Sequence, residues 1–208
     1  MASASSYPTT PVSVGILIFP EVDLLDATGP AEVFGSVAPA TTTAGFRVSL
    51  IAQTPASIRT TVGVQLLPDR TVDDVAQLDL LVVPGGNGSR VLVDDARQLQ
   101  SVRMIVQRTS QVLSVCTGAR ILAARGLLDG CDVTTHRTAL AEIAERAPTA
   151  VVHPDHRYTD NGAVLTAGGV TAGMDLALHL VAQRYGRPAA EATAAYLEHT
   201  WQRVPQSR

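Results

Sequence analysis

Apolar positions along the chain fall in short unbroken runs rather than in strict alternation. VSVGILIF (12–19), FRVSLIA (46–52), LDLLVVP (78–84) and QVLSV (111–115) are rich in Val, Ile and Leu, and continuous runs of this length read as strands buried on both faces of a sheet. Between them the pattern turns helical. Gly29-Pro30 opens AEVFGSV with proline where a first turn tolerates it, and Asp94-Asp95 begins a stretch through Val106 with acids where the helix dipole favours them. Strand alternating with helix predicts a mostly parallel α/β sheet with right-handed crossovers. Residues 58–67 read as a hairpin arm. So does HRYTDNGAVLTA (156–167), whose Asp160-Asn161-Gly162 accepts positive φ in a tight reversal. A helix is expected from Thr171 to about Arg184, and an alanine-rich one from Pro188 to about Trp201.

Composition narrows the chemistry. The 208 residues are 46% apolar and 17% charged, with formal net charge −3, which suits one globular domain over 12–208 behind a loose polar tail over 1–11. All 16 basic residues are Arg. Without lysine, Schiff-base, pyridoxal-phosphate and P-loop chemistry drop out. The arginines are scattered and the balance is acidic, so nucleic acid is not an expected partner. The longest apolar stretches, Ile16 to Phe19 and Leu80 to Val83, are too short to cross a bilayer, so no membrane partner is expected. Two cysteines, Cys116 and Cys131, make no disulfide framework, and a reducing cytoplasm is the simpler setting.

Candidate chemistry gathers at Cys116. In QVLSVCTGARILAA an apolar strand stops at Cys116 and a helix-forming run follows, with the small residues Ser114 and Gly118 two places to either side. That is the outline of a nucleophile elbow. Free N–H groups at the start of the next helix favour a thiolate, so Cys116 is expected to be acidic. The alternative is a small buried hydrophobe, which is the reading taken for Cys131. VVPGGNG (82–88) ends another strand, and the N–H groups of Gly86 and Asn87 with that of Thr117 are candidates for an anion nest. The run is not GxGxxG, and no dinucleotide fingerprint occurs. Asp26, in DLLDATGP, is the preferred acid or base, with Asp23 its rival and a solvent-facing cap the alternative for either. His136, in VTTHR, could orient the thiol or simply end a strand. His153 and His156 have a clip spacing interrupted by Pro154 and read as surface loop; His179 and His199 read as structural.

The runs ILIFPEVDLLDATGPAEVF, LLVVPGGNG, SVCTGARILAARGLLDGCDVTTH and DNGAVLTAGGVTAGMDLALHLV, in this order over about residues 12–185, resemble the ThiJ/PfpI superfamily, and within it the isonitrile hydratase branch. The resemblance implies a flavodoxin-like sandwich, a homodimer, and a small-molecule substrate handled without metal or organic cofactor. It puts the nucleophile at Cys116, its threonine neighbour at Thr117 and the catalytic aspartate at Asp26, whose proton-shuttling role calls for a raised pKa. Protease-like and glyoxalase-like branches carry glutamate in that role. Arg137 stands where the hydratase branch has an aromatic residue, so the pocket wall is expected to differ. Two alternatives accompany the reading: a cofactor-free glyoxalase or thiol-dependent hydrolase in which His136 matters more, and a non-enzymatic ligand or redox sensor akin to the amino-terminal module of AraC-type regulators. About twenty residues follow Arg184, too few for the helix-turn-helix domain of such regulators.

Overall fold

In the computed structural model, residues 10–37 and 44–203 are described, so positions 1–9 of the tail read over 1–11 lie outside them. In chain order the elements are β1 (Val12–Leu17), α1 (Leu24–Gly35), β2 (Phe46–Ala52), β3 (Ile58–Arg59), β4 (Gln65–Leu66), β5 (Arg70–Thr71), β6 (Leu78–Val83), α2 (Gly88–Asp94) and α3 (Ala96–Val106). They continue as β7 (Thr109–Val115), α4 (Ala119–Ala123), β8 (Asp132–Val133), α5 (Leu140–Arg146), β9 (Val151–Val152), β10 (Tyr158–Asp160), β11 (Val164–Ala167), α6 (Ala172–Tyr185) and α7 (Arg187–Tyr196). No helix among the described residues is long and apolar enough to cross a membrane.

Seven strands make the main sheet in the order β10-β11-β7-β6-β1-β2-β5, parallel throughout except for the β10–β11 hairpin. The apolar runs form its centre because parallel strands are covered on both faces. β1 and β6 are buried at every position but the second. There the polar residues satisfy each other: Ser13 donates to Asp79 Oδ2 from its backbone N (2.7 Å) and its hydroxyl (2.6 Å). Helices fall in two packed groups, α1 with α6 and α7, and α2 with α3 and α4 with α5, covering the sheet's two faces as a flavodoxin-like α/β sandwich. The strand order reverses between β1 and β6, and the loops after such a switch point open a crevice at the carboxyl edge. The turns after β1, β6 and β7 therefore meet.

Several expected boundaries move. α1 begins at Leu24 rather than at Gly29-Pro30, so Pro30 lies inside the helix and Asp26 occupies its first turn. Proline there removes one N–H from the ladder. Packing offsets the loss, for Gly29 sits against Met174 and Pro30 against Gly173, which lets α1 approach α6 closely. The stretch from Asp94-Asp95 is the second of two helices: α2 ends at Asp94, and Asp95 caps α3 by accepting from the N–H groups of Arg97 (2.9 Å) and Gln98 (3.1 Å). The last helix ends at Tyr196 instead of near Trp201. Beyond it the chain is drawn back to α6, where Asp175 Oδ1 takes hydrogen bonds from His199 (2.8 Å) and the Gln202 N–H (3.0 Å). The 58–67 arm and the 156–167 hairpin form as expected.

Gly88 starts α2 against backbone: a Cβ there would lie 1.8 Å from the Pro20 carbonyl oxygen. Gly88→Ala should therefore destabilise the protein by about 2 kcal/mol or more, lowering Tm by about 4–8 °C. Gly35→Ala, with open space around its Cβ, should leave Tm unchanged or raise it slightly. Calorimetry on the two variants checks the contrast, and equal effects would mean that the Pro20–Gly88 approach is not tight.

Candidate active site

Where β7 stops, Cys116 takes φ +57° and begins a single 3-10 turn, Cys116–Gly118, leading into α4. The elbow expected from the sequence is present. A non-glycine residue in this conformation costs about 1–3 kcal/mol and persists only when its surroundings hold it. Here the backbone is held from both sides. The Cys116 N–H donates to the Gly168 carbonyl (2.9 Å), and the Cys116 carbonyl accepts from the Thr135 hydroxyl (2.6 Å) and the His136 N–H (3.4 Å).

Opposite the elbow, Asp26 is fully buried in the first turn of α1. Its Oδ2 accepts the Gly85 N–H at 3.0 Å, while Oδ1 has no hydrogen-bond partner among the described residues. Burial, reinforced by the nearby charge of Asp23, raises the Asp26 pKa to about 7, against the opposing pull of the Gly85 N–H and the Cys116 thiol. Asp23 itself stands at the N-cap position of α1 without a side-chain cap bond and donates its N–H to the Gly85 carbonyl (2.9 Å). Its influence on the site is electrostatic, and Asp26, not Asp23, faces the sulfur.

One sequence expectation reverses. Cys116 is not acidic at rest: burial, and then the Asp26 carboxylate, push its thiol up to about 12. N–H groups of Thr117 and Val170 face the sulfur and favour the thiolate, but they do not outweigh desolvation next to a like charge. The helix after the turn has only five residues, so its dipole adds little. Asp26 and Cys116 thus form a coupled pair that loses one proton near neutrality and holds the other far into the alkaline range.

The glycine loop also differs from expectation. Gly86 does not offer its N–H to an incoming anion, because that N–H already donates to Thr117 Oγ1 at 3.0 Å. Its φ of +116°, with a Cβ position 2.3 Å from the Glu21 carbonyl oxygen, is open only to glycine. The Asn87 N–H, at the exposed start of α2, makes no hydrogen bond among the described residues, so of the two loop N–H groups only that of Gly86 is taken. Thr117 does belong to the site, by its N–H at the sulfur and its hydroxyl on the loop. The His136 ring pairs with Thr138 through Nδ1 (2.8 Å) and packs on Gly169, and no hydrogen bond joins it to the thiol among the described residues. Cys131 lies outside the pair, half-buried.

Sequence reasoning missed two parts. Val170 holds φ +41°, an outlier for a β-branched residue, and directs its N–H at Sγ; the GGVTAG run was the available signal. Buried Arg120 is bidentate to Glu142 (2.6 and 2.7 Å) and donates to Ser89 Oγ at 2.5 Å. Ser89 in turn donates to the Gly86 carbonyl (2.7 Å) and touches Thr117 Oγ1 (3.4 Å). This polar chain ties the glycine loop to the elbow, and nothing in the local sequence announces it.

The chain matches the DJ-1/PfpI family over residues 12–183. It is 34% identical over 189 residues to an isonitrile hydratase of Pseudomonas putida, covering 90% of this chain and 78% of that protein. It is 31% identical over 150 residues to an HTH-type transcriptional regulator of Pseudomonas aeruginosa, covering 69% of this chain but 40% of the regulator. Among solved structures, a ThiJ/PfpI family protein from Pseudomonas syringae superposes with a TM-score of 0.82 at 26% identity, covering 98% of this chain and 81% of that one.

Two measurements follow from the coupled pair. Because Asp26 binds its proton more tightly folded than unfolded, its contribution to stability is present at low pH and lost as pH rises from 3.8 to about 7. Asp26→Asn should match the wild type near pH 4 and exceed it at pH 8 by on the order of 2 kcal/mol, read as a Tm difference that grows with pH. Removing the carboxylate also relieves the thiolate. With Cys131 replaced by Ser in both proteins, iodoacetamide should alkylate the Asp26→Asn variant faster than the parent at pH 9; a slower reaction would show that Asp26 is not the charge that restrains the sulfur.

Proposed function

The chain belongs to the DJ-1/PfpI family, and on that footing we propose that it hydrates an isonitrile to an N-substituted formamide, with Cys116 as nucleophile and Asp26 as proton shuttle. The observation that carries this reading is a buried carboxyl group, unpartnered at one oxygen among the described residues, coupled to a thiol on a strained elbow. Similarity to an isonitrile hydratase over 90% of the chain supports it. The reading includes a cytoplasmic homodimer without metal or organic cofactor.

The chemistry uses the one proton the pair shares above neutrality. Asp26 takes the thiol proton. As it becomes neutral, the charge that repelled the thiolate vanishes, so the transfer is less uphill than the resting pKa values imply. Sγ adds to the terminal carbon of R–N≡C while Asp26 delivers the proton to the same carbon, giving the thioimidate R–N=CH–S–Cys116. Thr117 and Val170 N–H groups steady the sulfur before attack. Water then adds to the imidate carbon, with Asp26 accepting its proton and passing it to nitrogen. Collapse breaks the C–S bond, the thiol regains its proton, and R–NH–CHO leaves.

A second reading rests on the regulator similarity: the domain binds a small molecule without turning it over. Incubation with cyclohexyl isocyanide separates the two, and methylglyoxal tests the glyoxalase alternative in the same assay. The hydratase reading expects formamide formation with kcat/KM rising through pH 7 as Asp26 ionises, at least about 10³-fold lower in Cys116→Ala and Asp26→Asn. Consumption of methylglyoxal alone, or of neither compound, overturns it, as does turnover by a folded Asp26→Asn variant.

A further inference from the structure

Against the backbone of the elbow lies a cavity of about 390 Å³ that the reaction scheme leaves unused. Thr135, His136, Gly168 and Val170, all of which hold or face Cys116, form its inner wall. Its outer wall is unlike the apolar lining of most small-molecule pockets: it carries Arg137, Arg157, His156 and, at the exposed rim, Asp155.

The donors in this wall are only partly used. Arg137 has no hydrogen bond or ion pair among the described residues. Arg157 spends Nε and Nη2 on buried Asp175, and Nη2 also reaches Thr171 Oγ1 (3.1 Å), which leaves Nη1 without a partner among the described residues. His136 Nδ1 meets the Thr138 hydroxyl (2.8 Å) and N–H (3.4 Å), which leaves Nε2, at the Gly169 side of the cavity, without a hydrogen bond among the described residues. Asp175 already matches the charge of Arg157. Beyond the exposed Asp155 carboxylate at the rim, which forms no ion pair among the described residues, the Arg137 guanidinium presents a forked set of donors on the same cavity as His136 Nε2. That combination fits a planar anion of single charge.

We propose that this cavity binds the carboxylate of a small organic acid and so aligns the rest of that molecule with the Cys116 elbow. Arg137 is the specificity-determining residue, forked on the carboxylate, with His136 Nε2 and Arg157 Nη1 as further donors. Combined with the hydratase reading, on which this extension rests, the substrate class becomes isocyano acids, hydrated to N-formyl acids; an aromatic residue at 137 could not make that contact.

Binding is measured without turnover by titrating N-formylglycine and its neutral isostere N-formylglycinamide into the wild-type protein by calorimetry or NMR. The acid should bind about tenfold or more tighter than the amide. Arg137→Gln should abolish the difference, and Arg137→Lys should keep part of it. Arg137 is exposed, so circular dichroism should show an unchanged fold. Equal affinity for acid and amide, binding of neither, or an acid preference that survives Arg137→Gln overturns the proposal. In a separate assay isocyanoacetate should exceed its methyl ester in kcat/KM by a similar factor. Failure to hydrate either ester or acid defeats the hydratase reading alone, since the titrations still decide the carboxylate site; hydration of both at equal rates defeats the carboxylate site and leaves the hydratase reading standing.

Discussion

A carboxyl group and a thiol, both buried and both pressed toward their neutral forms, share one charge at the carboxyl edge of the sheet. Asp26 is raised to about 7 and Cys116 to about 12, each first by loss of water and then by a neighbouring negative charge. Water would relax both, so the pair exists only because α1 and the elbow close on it. Neither group is strongly ionised or strongly nucleophilic at rest. In the proposed mechanism its reactivity lies in proton exchange within the pair, which makes the thiolate when the carboxylate disappears.

The rest of the structure can be understood as holding that pair in register. Gly85 donates to Asp26, and Gly86 donates to Thr117, whose own N–H faces the sulfur. Ser89, Arg120 and Glu142 fix the loop from behind. Glu142 is held down to about 2, chiefly by its hydrogen bonds to Arg120, so the brace keeps its charge across the range in which Asp26 titrates. Cys116, which carries the sulfur, and Val170, whose N–H faces it, both hold strained positive φ values. Strain of this kind marks places where surrounding contacts dictate backbone conformation, and here it aims one side chain and one N–H at the same point.

Around the pair, the neighbouring cavity carries the charged side chains of Arg137, Arg157 and Asp155 beside the ring of His136. On the proposed carboxylate reading, a wall with Arg137 and partly used donors on His136 and Arg157 distinguishes ligands by charge rather than by apolar fit. The distinction between an enzyme and a binding module therefore turns on the sulfur, and the identity of the ligand turns on the wall.

Much of this was legible in the chain. Unbroken Val, Ile and Leu runs determined the parallel strands, because burial on both faces leaves no room for alternation, and the elbow followed from an apolar run ending at Cys116 beside small residues. Cys116 and Thr117 could be singled out as candidates because they follow β7 directly, and Asp26 because the segment between β1 and the body of α1 lies at the same edge, where a parallel sheet gathers its loops. The helix start at Leu24 was hidden, since Pro30 argues locally for a later start and only packing against Gly173 and Met174 offsets it. Tertiary structure alone decided the ionisation of Cys116, because desolvation depends on everything that surrounds a group, whereas the sequence reports only its neighbours along the chain. The same reason applies to Gly86, whose N–H is claimed by a hydroxyl 31 positions away, and to Arg120 and Val170, whose partners are brought close only by the fold.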